Sequence, residues 1–132
     1  GTTSSNTDGN ITSTVQVNSA AGFSIGMYEG SGSGSATVGH GLGAIPDLFM
    51  VKGRSSNGGA AQYWVVGAPN HTNFGNSASK HVFLDTTNAV MNNTTIWRNE
   101  AFTSSIVPMG SHAAINYDGG DYIFYAFKNV TP

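Results

Sequence analysis

"TVGHGLGAIPDLFMVKGR", residues 37–54, sets a histidine among glycines, then a proline, then a solid apolar run closed by two cations. Two readings of it lead to different proteins. If His40 is a metal ligand or a catalytic base, the segment belongs to an active site. If His40 is scaffold, the segment is a loop feeding a buried strand. Gly39, Gly41 and Gly43 suit left-handed or closely packed backbone. Pro46 fixes the start of a strand without donating to its ladder. The ring nitrogens of His40 are then expected to bond backbone carbonyls and hold the loop. Partners for chemistry are missing: His71, His81 and His112 are scattered, and no ligand spacing joins them to His40. The scaffold reading is the stronger, and it makes "LFMV" at 48–51 a strand.

Other runs of the same kind follow once that strand is accepted. "YWVV" at 63–66, "HVFL" at 81–84 and "YIFYAF" at 122–127 are short, apolar on both faces and bounded by Gly, Asn, Asp or Pro. Such runs fit strands covered on both sides. Period-two alternation is found elsewhere. Val15 and Val17 alternate with Thr14, Gln16 and Asn18, and Phe23, Ile25 and Met27 alternate with Ser24, Gly26 and Tyr28. These segments read as strands with one face wet. "TTIWR" at 94–98, "AFTSSIV" at 101–107 and "HAAINY" at 112–117 are weaker strand candidates. No stretch sustains a 3.6-residue apolar period, so no crossover helix is expected. The expected fold is all-β: an antiparallel β-sandwich or jelly roll of eight or nine short strands.

Composition agrees. Charged residues are 9% of the chain, against a usual share of about 25%. Small polar residues replace them, with 18 Gly, 15 Ser, 13 Thr and 13 Asn. These favour turns and pleated surfaces over helix interiors. Five cations and a net charge of −2 cannot form a phosphate-tracking stripe, so nucleic acid is not expected as a partner. Without cysteine, disulfides and thiolate metal sites are excluded. No apolar run approaches the roughly 18 residues of a helical membrane span. The opening "GTTSSNTDGNITST" lacks an initiating Met and is linker-like. Residues 1–13 are therefore expected to be a flexible arm, cut or processed from something longer, and 14–132 a single sandwich domain.

Candidates for chemistry are few. "NYDGGDY" at 116–122 predicts a hairpin turn in which Asp118, Gly119, Gly120 and Asp121 supply tight-turn geometry. Two carboxylates beside a diglycine are a poor calcium site without backbone help, and turn chemistry is the better reading. The seven carboxylates form no motif pair of the glycosidase kind. No nucleophile elbow, "HExxH" or phosphate loop is present. The expectation is a protein that is not an enzyme and needs no cofactor or metal. Sugar binding is the main functional alternative. Aromatic faces stack on pyranose rings, and Asn takes hydroxyls by paired hydrogen bonds. Trp97, Arg98, Asn92, Asn93 and Tyr63 are the candidate contacts, with the Asn-rich loops 70–80 and 88–95 around them. Trp64, inside "YWVV", reads as core.

The segments also form an ordered set. Gly22-Phe23-Ser24-Ile25, Val38 to Pro46, Val51-Lys52, Trp64-Val65-Val66 and Val82-Phe83-Leu84-Asp85-Thr86 come first. Trp97, Phe102-Thr103-Ser104, Asn116 and Tyr122 to Phe127 follow. In that order they resemble a domain recurring in tail-fibre and other surface proteins of tailed phages, especially marine ones. The resemblance covers about residues 20 to 130. Gly26 and Met27 depart from it where a β-branched pair is usual, as does "IVPMG" at 106–110. It implies a virion surface role, as a tail-fibre or adsorption domain or a capsid decoration protein. It also implies a homo-oligomer, by analogy a trimer, in contact with other virion proteins and with a host glycan as a further candidate partner.

Overall fold

The apolar runs at 48–51 and 122–127 pair with one another at the centre of the molecule. The computed structural model describes residues 2–55, 63–71 and 79–131. In chain order the described elements are β1 (Ser4–Asn6), β2 (Ser13–Asn18), β3 (Phe23–Glu29), β4 (Ala36–Gly39), β5 (Leu48–Gly53) and β6 (Trp64–Gly67). They continue with β7 (Lys80–Phe83), β8 (Met91–Asn92), α1 (Thr94–Trp97), β9 (Ile106–Met109), α2 (Ala113–Asn116) and β10 (Asp121–Phe127). Eight strands form one sheet in the order β1-β2-β3-β10-β5-β6-β7-β8, and β4 and β9 form a second, two-stranded one. The strand pairings in both are antiparallel. The fold is thus all-β and sandwich-like, as the turn-bounded runs predict.

One face of the large sheet packs on the second layer. Val15, Phe49, Val51, Val65, Phe124 and Ala126 meet Val38, Leu42, Ile96, Trp97, Phe102, Val107, Met109 and Ile115 in a single buried cluster. Phe49 is its hub, edge-on to Trp97 and Phe102 and stacked on Phe124.

Four local expectations are corrected. The opening segment is not a free arm. β1 pairs with β2 from Ser4↔Val15 to Asn6↔Ser13, and Ile11 bridges Val38. Asn10 both donates to Ser35 O (2.9 Å) and accepts from Thr37 N (2.7 Å). Its small polar residues serve as an edge, where backbone pairing rather than side-chain burial holds the chain.

Two expected strands are single helical turns. "TTIW" has high β propensity, but the Asn93 side chain accepts from Thr95 N at 2.8 Å and starts α1. Likewise His112 Nδ1 accepts from Ala114 N at 3.1 Å and starts α2. The Asp118-Gly119 turn consequently joins a helix to β10 and is not a hairpin. Gly119 has φ +70°, and Gly120 N bonds Tyr117 O at 2.9 Å, the type II pattern that demands glycine there.

The last correction concerns β3. Its alternation suggests that Phe23, Ile25 and Met27 face the core, yet Ser24, Gly26 and Tyr28 are the buried set. Each meets a specific partner on the inner side. Ser24 Oγ donates to His40 O at 2.6 Å. Gly26 lies under the Phe124 ring, where a Cβ would overlap Cζ and Cε1. Tyr28 Oη donates to Ile115 O at 2.6 Å. Hydrogen-bond and volume demands outweigh side-chain hydrophobicity.

Candidate interaction surface

The histidine loop resolves as scaffold. Gly41 (φ +72°) and Gly43 (φ +70°) take the left-handed conformation, and at Gly39 a side chain would collide with Asn6 Oδ1. His40 is fully buried. Its Nδ1 accepts from Leu42 N at 3.2 Å, which leaves the proton on Nε2, 3.1 Å from Thr103 O. One ring nitrogen therefore bonds a carbonyl and the other an amide, where two carbonyls were expected. Ser13 Oγ takes the neighbouring Gly39 O at 2.7 Å. Burial pushes the His40 pKa down, partly opposed by the Thr103 bond and by Asp8, so the ring is neutral at pH 7. Pro46 is buried just before β5.

The sugar-contact candidates do not converge. Trp97 is 1% exposed, and its Nε1 donates to Lys80 O at 3.2 Å. It is a core residue, because α1 turns its ring inward onto Phe49 and Phe102. Arg98 caps α1 in the left-handed conformation (φ 61°). Its guanidinium donates to Ala36 O at 3.2 Å and pairs with Glu100 at 2.6 Å. Asn93 is committed to the α1 cap, accepting also from Thr95 Oγ1 at 2.7 Å. Tyr63 stacks on Phe83, with ring centroids 4.4 Å apart. Asn92 is exposed on β8. Of the loop at 70–80, residues 72–78 lie outside the described ones. Among the described residues no three His, Asp or Glu side chains gather to hold a metal. Asp118 and Asp121 are exposed at their turn.

The surface that does converge is the other face of the large sheet. Register brings its outward positions into rows. Met27, Ile123, Lys52 and Trp64 form one row; Ile25, Tyr125, Met50 and Val66 form the next; Phe23, Phe127 and Leu48 form a third. Met27 is 40% and Phe127 36% exposed, and Leu84, beside Trp64, is 59% exposed. Phe23 packs on Phe127 at 5.0 Å, and Trp64 on Tyr125 at 6.0 Å. The Lys52 ammonium lies over Trp64, 5.9 Å from the ring centre, a cation–π contact. Arg54 Nη1 reaches Met27 Sδ at 2.9 Å. Shallow hollows open on the same face, one walled by Met50, Trp64, Leu84 and Asp85.

The two tryptophans thus exchange the roles expected of them: Trp97 is core and Trp64 half-exposed. The signal for this surface was in the sequence, as the apolar outward positions of "LFMV" and "YIFYAF". Which side of β3 joined them was not.

Among the described residues one sheet face is covered and the other is open and largely apolar, which gives a β-sandwich-like domain marked by a surface. Over residues 1–132 the chain matches the family described as "Domain of unknown function (DUF7483)", and it belongs to that family. No curated protein and no solved structure matches it.

Proposed function

We propose that the chain is a non-enzymatic structural module of a bacteriophage virion surface, acting by assembly with copies of itself. The observation that carries the reading is the outward face of β3, β10 and β5, apolar in three successive rows but for Lys52. Soluble monomers rarely expose contiguous apolar patches beyond a few hundred Å². Covering this one removes apolar surface from water, and repetition turns weak contacts into avidity. The virion setting is supported by the ordered segments shared with tail-fibre and other phage surface domains. A tail-fibre or adsorption domain and a head-decoration protein both depend on repeated shape, and neither needs a reactive centre.

Light scattering on the eluting protein tests the assembly. The wild type is expected as a multimer, and Ile123→Asp as a monomer with an unchanged circular dichroism spectrum. A wild type that stays monomeric at high concentration overturns this part. Labelling intact particles with an antibody to the chain tests the setting, and particles without surface label overturn it.

A further inference from the structure

We infer that the outward sheet face is an isologous interface, joining two copies about a two-fold axis parallel to the strands. This rests on the assembly reading above. A ring or fibre joined head to tail needs two different complementary patches on each copy, whereas a two-fold pair uses one patch twice. Among the described residues the other exposed large apolar side chains are Val17, which lines a hollow with Phe23 and Ile25 at the edge of this face, and Ile45, Val90 and Val130, each on a different loop. One face is therefore available, and its natural complement is itself.

Size permits this. β3 and β10 have seven residues each, β5 six and β6 four; at about 4.8 Å by 3.4 Å per residue they give a face of roughly 400 Å². Two copies then cover a footprint of about 800 Å², the size of a weak, reversible contact.

Charge selects a second copy and sets its orientation. At one end of the face Phe23, Phe127 and Leu48 carry no charge. At the other stand Glu29, Asp121, Lys52, just past β5 Arg54, and beside Trp64 Asp85, three acids and two cations. A face of mixed charges is not built for a strongly acidic or basic partner, and it meets its own copy with little accumulation of like charge. An axis along the strands sets apolar end on apolar end. An axis across them presses those charges onto Phe23, Phe127 and Leu48, which burial disfavours. The two sheets then pack about 10 Å apart at the shallow angle of aligned sheets, with both β10 strands running the same way.

The absence of cysteine gives a clean background for the test. Phe127→Cys and Leu48→Cys, each prepared alone and then mixed under mild oxidation, are expected to form a disulfide-linked heterodimer. Phe127→Cys mixed with Lys52→Cys is expected to give at least tenfold less. Circular dichroism verifies the fold of each variant, and light scattering on the wild type is expected to give two chains. A monomer overturns the assembly reading as well. A trimer, a link between the opposite ends, or a dimer linking neither pair overturns the two-fold interface and leaves assembly standing.

Discussion

The large sheet has two faces made from the same strands, and they obey different rules. The inner face mixes Phe49 and Phe124 with Ser13, Ser24 and Gly26, all buried. It must match a second layer of loops and single-turn helices, whose backbone groups need hydrogen-bond partners. Tyr28 and Tyr122 show this. Stacked at 5.2 Å, they donate to Ile115 O and Ala113 O, each at 2.6 Å, and so satisfy carbonyls of α2. The outer face has no such layer among the described residues; its middle rows are apolar and its charges gather at one end. The side of a strand richer in apolar residues is therefore not always its core side. Fit to a particular partner decides that, and on the outer face the partner we propose is a second copy of the chain.

The two tryptophans stand on opposite faces. Trp97→Ala empties the centre of the cluster around Phe49 and leaves Lys80 O without its donor. It is expected to cost about 3–5 kcal/mol. Trp64→Ala removes a half-exposed ring from the outer face and is expected to cost about 1 kcal/mol. Urea unfolding of both variants measures the contrast. Equal losses would mean that the outer face is structural in its own right.

His40 comes next, since it ties the loop to the second layer. His40→Ala leaves the Leu42 amide unpaired and opens a cavity, an expected loss of about 2–4 kcal/mol. Its pH dependence has a definite sign. Burial lowers the folded-state pKa below the ordinary 6.5, so the unfolded chain takes up the proton first. The stability His40 contributes is present above about pH 6.5 and is lost as pH falls from there through the folded-state value. His81 and His112 are shifted down by burial too. His40→Gln should therefore flatten the acid side of a melting-temperature profile without abolishing its slope.

This contrast also explains what the sequence made legible. Runs such as "LFMV" and "YIFYAF" announced the central strands, and the glycines around His40 announced a scaffold loop. Single helical turns were hidden because β-branched "TTIW" is helical only through the Asn93 cap and the packing of Trp97. The caps themselves, Asn93 before Thr94-Thr95 and His112 before two alanines, were the available signals. β3 was misread because the partners that bury Ser24, Gly26 and Tyr28 lie 16 or more residues away. The outer surface was half visible, since strands apolar on both sides imply a cover that the sequence cannot locate.

Gly26 shows how closely the inner face is fitted to its neighbours. With Met27 and "IVPMG" it departs from the pattern that the sequence resembles, and at Gly26 the Phe124 ring occupies the space a side chain would need. Gly26→Ala forces that ring aside and is expected to cost about 1–3 kcal/mol. Adding Phe124→Leu makes room, so the double variant should lose less than the sum of the singles. Additive losses in denaturant melts would show that the strain lies in the β3 backbone and not in the ring.

The smallest effect belongs to the outer face. Ile25 sits between Gln16 and Tyr125 in the ladder, on the side of β3 that faces away from the inner layer. Ile25→Thr keeps the β-branched shape that a strand favours, so the monomer's stability should change by about 0.5 kcal/mol or less. What should change is the dependence on concentration. If copies cover this face, the wild-type melting temperature rises with protein concentration, because association binds only the folded chain. The Ile25→Thr profile should be flatter at the same concentrations. A wild-type melting temperature that ignores concentration across a hundredfold dilution would mean that the outer face stays wet, and its apolar rows would then need another cause.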